Sequence, residues 1–227
     1  MTQKLILATA IVLGLGYVWL RGGFVGIASG RDDRAAIAPA GDLALATFAA
    51  GCFWCAEADF EKVPGVVRVI SGYTGGHVDN PSYAEVSRGG TGHAEAVEVF
   101  YDPRRVSYES LLDRFWHDVD PFVAHRQFCD VGDQYRPEIF VHTAAQRAAA
   151  DASKRRMQQQ FRDPVLVGIS PAGAFYPAES YHQDYYKTHP VQYRYYRWRC
   201  GRDARLDEIW RTRHDSSDAA GSSVPRR

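Results

Sequence analysis

The chain has 227 residues, which is enough for one domain with a full hydrophobic core and appended segments. Its 27 Lys and Arg residues balance its 27 Asp and Glu residues, so the overall charge excludes a general attraction to nucleic acid or acidic membranes. The four cysteines are too few and too unevenly spaced for a disulfide-framework fold, and chemistry or packing explains them better.

The amino terminus predicts an export segment. Lys4 precedes an uncharged apolar run over residues 5–20, which Arg21 closes. The run is slightly long for a signal-peptide core and slightly short for a spanning helix of about 20 residues, so residues 1–21 fit either a signal peptide or a membrane anchor. A Gly- and Ala-rich linker follows over residues 22–43. We therefore expect an exported protein, either periplasmic or anchored in the inner membrane through residues 5–20.

The first half of the predicted domain is a β-α-β unit followed by a third strand. The unit consists of a strand over 45–49, a helix over 53–62 and a strand over 66–73. A polar, Gly-rich stretch over 74–92 separates it from the third strand, which alternates over 94–101.

The second half alternates helices and strands. Ser107 caps a predicted helix with an apolar side that reaches Val119, and a loop over 121–136 follows. The later predicted elements are a strand over 138–142, an Ala-rich helix over 143–161 that Thr143 can cap, a strand over 165–169 and a helix over 179–188. This order predicts an α+β fold, a two-layer α/β sandwich with a mixed β-sheet, over residues 44–210. We expect residues 211–227 to be a disordered tail.

Cys52 is the strongest candidate for a reactive residue. It lies where the first strand ends and the first helix begins, so its sulfur is expected near the free N–H groups and the positive dipole end of the helix. Both favour the thiolate, which is the nucleophilic form of cysteine. The simpler alternative is a packed free cysteine, but Gly51 permits close approach of the backbone, and an aromatic pair follows Cys52.

Cys55 completes a Cys-x-x-Cys motif, whose spacing in a helical turn is compatible with a disulfide. The motif alone suggests a dithiol oxidoreductase or half of a zinc site. No second Cys-x-x-Cys or His-x-x-x-His accompanies it, and Cys129 and Cys200 are too scattered to predict a tetrahedral site, so we expect no metal.

Glu95 is the one carboxylate on an otherwise apolar face of the third predicted strand, which it shares with Val97, Val99 and Tyr101. Burial without a cation would raise its pKa and let it donate a proton near neutral pH. An edge strand with this face in solvent fits the spacing equally well. If the carboxyl is buried it needs hydrogen-bonding partners, for which Tyr83 and Tyr135 are candidates.

Five motifs in order resemble those of the peptide methionine sulfoxide reductase A family over roughly residues 44–210. They are Gly51-Cys52-Phe53-Trp54, Ser71-Gly72-Tyr73-Thr74-Gly75-Gly76, Asn80-Pro81-Ser82-Tyr83, Thr91-Gly92-His93-Ala94-Glu95-Ala96-Val97 and Asp130-Val131-Gly132-Asp133-Gln134-Tyr135-Arg136. The resemblance implies a ferredoxin-like core and reduction of the S epimer of methionine sulfoxide, free or in proteins. It implies no prosthetic group, a thioredoxin-type protein reductant, a role in repair after oxidative damage, and a monomer.

The resemblance also implies a role for each matching residue. Cys52 attacks the sulfoxide sulfur, and Glu95, helped by Tyr83 and Tyr135, protonates the sulfoxide oxygen. Cys52 is left as a sulfenic acid, which a second thiol converts to a disulfide. The other implied site residues are Phe53 and Trp54, which hold the substrate methyl group, and Asp130, a supporting carboxylate.

The resolving cysteine departs from the family pattern, because Cys55 stands where the family commonly has Gly. Cys55 has suitable spacing, and Cys200 lies in the corresponding tail region, so both remain candidates. Cys129 is expected to serve packing. His182 and Gln183 occupy a family-like position after Glu179 and are expected to support the site without a catalytic role.

Two other functions remain open at the sequence level. A general thiol–disulfide oxidoreductase would use Cys52 and Cys55 but would leave Glu95 unexplained. A binding protein would use the Tyr- and Arg-rich segment 193–199 as a surface for nucleic acid or an acidic membrane, although the same stripe is more simply explained by packing with its arginine heads in solvent.

Overall fold

The computed structural model describes residues 43–221, with side chains over residues 43–211. The predicted export segment and all but the last residue of the predicted linker lie outside the described residues. Within the described part, no helix is both long enough and apolar enough to cross a membrane.

Two sheets contain the strands of the described chain. The larger is formed by β1 (Ala44–Ala50), β2 (Val66–Thr74), β3 (Ala94–Tyr101), β6 (Pro137–Val141), β7 (Gly168–Pro171) and β8 (Phe175–Pro177), and a small hairpin pairs β4 (Arg126–Gln127) with β5 (Asp130–Val131). In the larger sheet the order is β7-β6-β1-β3-β2-β8. Only β6 and β7 pair in parallel, so the sheet is mixed, as predicted.

The helices lie between and after these strands. They are α1 (Phe53–Phe60), α2 (Tyr83–Arg88), α3 (Tyr108–Trp116), α4 (Ala144–Gln160), α5 (Tyr185–Thr188), α6 (Pro190–Arg199) and α7 (Arg202–Gly221), with short 3-10 turns at Asp133–Tyr135 and Ser180–His182. As the sequence predicts, Ser107 and Thr143 cap α3 and α4 by accepting main-chain N–H groups.

The centre of the sheet has the split β-α-β arrangement of ferredoxin-like folds. β1 and β2 are joined by α1, and β3 lies between them and runs antiparallel to both. β6 then pairs with the other edge of β1. The predicted α+β fold with a ferredoxin-like core is therefore confirmed, and the turn from β1 into α1 lies beside the first residues of β3.

The main hydrophobic core lies between the sheet and the helices. Phe48 of β1 stacks on Phe60 of α1 and Phe115 of α3, with ring centroids 4.9 Å and 5.4 Å away. Val97 and Val99 of β3 belong to this core, whereas Ala96 and Phe100 belong to a second cluster on the other face. Because strand side chains alternate, Glu95 shares the helix-covered face with Val97 and Val99.

Some local elements differ from the prediction. The Gly-rich stretch contains α2, which begins at a capping box formed by Ser82 and Glu85. The expected helix over 179–188 is interrupted, because Asp184 is in the left-handed region at φ 54° and donates its N–H to Glu57. Gln183 meanwhile bonds to both main-chain polar groups of Ser71, which fixes the interruption against β2.

The carboxy-terminal segment begins as a helix that packs on the domain. α7 runs to Gly221, residues 222–227 lie outside the described part, and the disorder expected for residues 211–227 stays a prediction. Arg202, Leu206 and Ile209 are buried. These side chains hold the first turns of α7 on the domain, and once started a helix extends at little cost.

Candidate active site

A cavity of about 290 Å³ opens where β1 ends and α1 begins. Its lining comes from separate parts of the chain and consists of Cys52, Phe53, Trp54, Tyr83, Glu95, Asp130, Tyr135 and Tyr196. The structure thus brings together every predicted catalytic and substrate-binding residue. Tyr196 is an addition that the sequence signalled only as part of an aromatic segment.

The turn before α1 places Cys52 at the mouth of this cavity. Gly51 has φ +78°, and a Cβ atom on it would lie 2.5 Å from the Cβ of Gln127, so only glycine fits there without a shift. Cys52 is the residue before the first helical position, and its carbonyl accepts the N–H groups of Cys55 and Ala56. The chain therefore turns sharply out of the sheet and presents the Cys52 side chain at its end.

The ionisation of Cys52 differs from the expectation based on the helix N-terminus. Burial raises the pKa of the Cys52 thiol, and the neighbouring Cys55 and the Glu95 carboxyl raise it further. The pKa of Cys55 is lowered instead, first by its hydrogen bond with Cys52 and then by the charges of Arg202 and Arg197. Two arginines thus favour ionisation of Cys55, whereas the Glu95 carboxyl opposes ionisation of Cys52.

Glu95 is a buried acid, with 3% of its surface exposed. Burial raises the pKa of its carboxyl to about 8, and the nearby charges of Asp130 and Cys55 act in the same direction. The main-chain N–H of Phe53 donates to its Oε2 at 3.0 Å and partly opposes that rise. Of the two interpretations open at the sequence level, burial is therefore correct, and Glu95 carries a proton at neutral pH.

Three tyrosines and a carboxyl complete the polar side of the cavity. Burial and the charges of Glu95 and Cys52 raise the pKa of Tyr83 to about 12, and the pKa of Tyr135 is also raised, so both remain hydroxyl donors. Tyr196 donates to Asp130 and lies within hydrogen-bonding reach of Cys52. Asp130 has its pKa raised by burial and lowered by the bond from Tyr196. The cavity is thus lined with proton donors around the Cys52 sulfur.

The aromatic side of the cavity is held rigidly. Trp54 stacks on Tyr185 at 3.8 Å and donates from Nε1 to Nδ1 of His182 at 3.1 Å. The His182 ring also packs against Phe53 and Tyr83, at 5.0 Å and 4.4 Å. Burial lowers the pKa of His182, so its ring is neutral and accepts from Trp54. His182 therefore supports the cavity walls, as the sequence predicts, and does not line the cavity.

The remaining cysteines have clear positions. Cys55 is free, 1% exposed, and packs with Cys52, Ala58 and Tyr193 behind the cavity. Cys129 and Cys200 form a disulfide with a Cα–Cα distance of 4.8 Å. The expectation that Cys129 serves packing is wrong, because Cys129 is exposed and bonded to Cys200. The sequence missed this pair because 71 residues separate its members and only the tertiary fold brings them together.

The Tyr- and Arg-rich segment 193–199 packs on the domain through part of its side chains. It lies in α6, where Tyr193 is buried and Tyr196 lines the cavity. Arg197 donates to Asp59 at 2.6 Å and to Asp203 at 2.7 Å, so its charge is paired. Tyr195 and Trp198 stay exposed. The packing interpretation is therefore correct for Tyr193, Tyr196 and Arg197, whereas Tyr195 and Trp198 form an exposed aromatic pair with ring centroids 6.0 Å apart.

Two groups in the described chain gather enough ligand-type side chains to approach a metal. In the group of Cys129, Asp130 and Cys200 the two sulfurs share a disulfide. In the group of Glu57, Glu61 and Asp184, the Lys187 ammonium pairs with both Glu61 and Asp184 at 2.5 Å and 2.6 Å. Neither group therefore offers a free ligand set.

The chain matches known proteins over the region that builds this site. A family model described as peptide methionine sulfoxide reductase matches residues 44–214. The peptide methionine sulfoxide reductase MsrA of Bacillus licheniformis is 48% identical over 173 residues, which cover 75% of this chain and 96% of that protein.

Two solved structures share the fold of this chain. Mxr1 from Saccharomyces cerevisiae in its reduced form has a TM-score of 0.64 at 31% identity, covering 67% of this chain and 89% of that one. Methionine sulfoxide reductase A of Corynebacterium diphtheriae has a TM-score of 0.61 at 31% identity, covering 67% of this chain and 77% of the other.

Proposed function

The chain belongs to the peptide methionine sulfoxide reductase family and reduces methionine sulfoxide, and from this premise we propose how its own residues divide the reaction. The substrate is the S epimer of methionine sulfoxide, free or in proteins, and the reaction repairs methionine after oxidative damage. One observation carries the proposal: the thiol of Cys52 and the protonated carboxyl of Glu95 line the same small cavity.

Sulfoxide reduction needs a nucleophile on one side of the substrate and an acid on the other. Cys52 attacks the sulfoxide sulfur, and Glu95 donates its proton to the sulfoxide oxygen. Tyr83, Tyr135 and Tyr196 donate hydrogen bonds to that oxygen as negative charge develops on it. The methyl group rests against Phe53 and Trp54, whose rings are held by His182. Plain thiol–disulfide exchange, in contrast, has no substrate oxygen for this acid to protonate.

The test is reduction of the two separate epimers of a blocked methionine sulfoxide by the wild-type chain and by Cys52→Ser. The wild type should reduce the S epimer and leave the R epimer, and Cys52→Ser should lose all activity because no other free thiol among the described residues lines the cavity. Activity on neither epimer, or full activity in Cys52→Ser, would overturn the proposal.

Cys55 is the proposed resolving residue. Its thiol is hydrogen-bonded to that of Cys52, and both belong to one buried cluster. Cys200, the other candidate, is bonded to Cys129 and has no free thiol in this structure. Attack of the Cys55 thiolate on the sulfenic acid of Cys52 therefore needs only a small movement, and mass spectrometry of the oxidised protein tests it.

A thioredoxin-type protein is the proposed electron donor, with no prosthetic group involved. Cys52 and Cys55 are almost fully buried, at 6% and 1% exposure, whereas Cys129 of the second disulfide is exposed. A dithiol reductant must contact the sulfur it attacks, so the cavity mouth and the Cys129–Cys200 bond are its points of entry. A thioredoxin-coupled turnover assay with the purified chain tests the choice of donor.

The place of action is proposed to lie outside the cytoplasm, in the periplasm or at the inner membrane. The support comes from the sequence of residues 1–21, where a positive residue precedes an uncharged apolar run. Cell fractionation with amino-terminal sequencing tests this assignment.

A further inference from the structure

Three consecutive residues at the tip of the β4–β5 hairpin contact the junction between α6 and α7. The pairs are Phe128 with Arg202, Cys129 with Cys200, and Asp130 with Tyr196. The first is a guanidinium 4.7 Å from a ring centroid, the second is a disulfide, and the third is a hydrogen bond that the tyrosine donates. The disulfide is the covalent member of this row, so it limits how far the tip and the junction can separate.

The base of the hairpin is held by other contacts. Gln127 is fully buried, and its amide accepts the N–H of Asp120 and donates to the Asp120 carbonyl, both at 2.9 Å. The tip is more open to solvent, since Cys129 is exposed and Val131 is 68% exposed. Burial therefore fixes the base, whereas the position of the tip depends on the three pairs.

The backbone of the tip also needs those pairs. Phe128 has φ 53°, which lies in the left-handed region that a bulky side chain rarely adopts. Such a conformation persists where surrounding contacts hold it. The stacked Arg202 guanidinium and the disulfide of the next residue, Cys129, provide two such contacts, and both come from the junction.

The third pair belongs to the active site, because Asp130 and Tyr196 both line the cavity. The disulfide adjoins both of them. The Sγ of Cys129 is 3.6 Å from Oδ1 of Asp130, and Cys200 follows Tyr196 by one helical turn, with its N–H donating to the Tyr196 carbonyl at 2.9 Å. The bond thus joins the residue next to Asp130 to the turn that carries Tyr196.

We propose that Cys129 and Cys200 are positioning residues for sulfoxide binding, because their disulfide keeps Asp130 and Tyr196 together on the cavity wall. Neither sulfur lines the cavity, so the effect is exerted through those two side chains. When the bond is open, the hairpin tip and α6 can separate, and binding of the sulfoxide weakens. The inference rests on the proposed reduction of the S epimer and adds to it a role for the second cysteine pair.

The state of this bond depends on a dithiol reductant. A thiolate of the dithiol attacks the exposed sulfur of Cys129, the Cys129–Cys200 bond breaks, and a mixed disulfide forms on Cys129. The second thiol of the reductant then releases Cys129. Two electrons and two protons pass from the dithiol to the two cysteines, and the reductant becomes a disulfide.

The test measures substrate binding in the full-length chain with Cys52→Ser and Cys55→Ser. Cys129 and Cys200 are then the only cysteines left, and no turnover competes with binding. The Kd of the blocked S epimer is measured with the bond intact and after opening by dithiothreitol. Opening should raise the Kd about 2- to 10-fold, the value of one hydrogen bond, and reoxidation should restore it. Equal Kd values in the two states would overturn the proposal.

The matched control is the same chain with Cys129→Ser and Cys200→Ser added. It should bind the S epimer as weakly as the opened chain, and dithiothreitol should leave its Kd unchanged. If opening unfolds the chain, Asp130→Ala tests the same wall with the disulfide intact. It should raise the Kd to a similar degree, and an unchanged Kd in that variant would contradict the proposal.

Tyr196→Phe tests whether the disulfide acts through the cavity wall. With the bond intact, this change should itself weaken binding of the S epimer. Opening the bond in Tyr196→Phe should then raise the Kd by a smaller factor than in the parent chain, because coupled changes are not additive. A full, independent effect of opening would show a general loss of structure and would overturn the positioning role.

An NMR measurement separates this inference from the proposed function. Tyrosine labelled with ¹³C at Cζ reports the hydrogen bond of Tyr196, and Tyr196→Phe assigns its signal. Opening the disulfide should move that signal toward its position in Asp130→Ala, and a signal that stays in place would overturn the proposal. This comparison needs no substrate, so it decides the role of the bond even if the wild type reduces neither epimer. If the wild type reduces the S epimer but the Tyr196 signal and the Kd ignore the bond, only the inference fails.

Discussion

Burial raises the pKa of both groups that carry the chemistry, but it favours the role of one and opposes the role of the other. It keeps the proton on Glu95, which is the form that a general acid needs. It also raises the pKa of Cys52, which is a disadvantage for a nucleophile. Cys55 lies beside Cys52 and shares a hydrogen bond with it. At the scale of single residues, the reaction therefore depends on which neighbour each buried group has.

The pH dependence of the chemical step should report Glu95. Its carboxyl has a pKa of about 8 in the folded chain, against an ordinary value of 4.5, and only the protonated form donates. The single-turnover rate should therefore fall as the pH rises above about 8. Glu95→Gln should lower the rate about 10²- to 10⁴-fold, the usual contribution of a general acid, and should remove this alkaline limb.

Glu57→Gln is the control for that profile. Glu57 is also buried, with a pKa raised by burial to about 7, but it bonds to Ser71 and Asp184 outside the cavity. Its replacement should leave the alkaline limb in place.

Between pH 4.5 and 8 the folded chain binds more protons at Glu95 than the unfolded chain, so the contribution of Glu95 to stability falls as the pH rises through this window. Glu95→Gln should therefore raise Tm at pH 9. In the kinetic test, a rate profile for Glu95→Gln that equals that of the wild type would contradict the role of Glu95.

The first turn of α1 holds both Cys52 and the proposed resolving residue Cys55. The Cys52 carbonyl accepts the Cys55 N–H at 3.1 Å, so the backbone fixes both sulfurs on one turn. Cα atoms three residues apart in such a turn are about 5 Å apart, which is within the range of a disulfide. The motif that alone suggested a general dithiol oxidoreductase thus becomes part of a sulfoxide site.

The resolving residue should be evident after one turnover without reductant. Cys55→Ser should accumulate a sulfenic acid on Cys52, trapped as a dimedone adduct and located by mass spectrometry. The matched control is the double variant Cys129→Ser and Cys200→Ser, which should still form the Cys52–Cys55 disulfide because neither sulfur lines the cavity. A sulfenic acid in the control but not in Cys55→Ser would assign resolution to the other pair.

Across the whole molecule, the sheet order assembles the site from distant segments. β3 lies between β1 and β2, and this brings Glu95 beside the turn that carries Cys52. The β4–β5 hairpin brings Asp130, and α6 brings Tyr196, which donates to it. Arg202 ties the start of α7 to the end of β1 through Ala50. One chain therefore supplies every group that lines the cavity.

The location of the whole chain should follow its amino terminus. Fractionated cells that express the full sequence should hold the protein in the periplasm if residues 1–21 are cleaved, or in the inner membrane if they are retained. A variant that lacks residues 1–21 should stay in the cytoplasm with its sulfoxide reduction intact, because the cavity lies within residues 52–196. A full-length protein found in the cytoplasm with Met1 still present would contradict export.

Much of the fold and the site was predictable because it depends on short-range patterns. Caps such as Ser107 and Thr143 act over three residues, and alternation placed Glu95 on the face of Val97. The prediction of a continuous helix over 179–188 is wrong, because contacts of Gln183 and Asp184 with distant residues override the local helical preference.

The sequence alone predicted the family, the ferredoxin-like core, and Cys52 and Glu95 as the candidate nucleophile and acid. Only the tertiary structure decided that Cys129 pairs with Cys200, that Tyr196 joins the cavity, and that Cys55 is buried beside Cys52. The reason is distance along the chain: the disulfide spans 71 residues, and the bond from Arg202 to Ala50 spans 152. Cysteine pairing and side-chain pKa values depend on the groups that pack around a residue, and the local periodicity of the sequence does not specify those contacts.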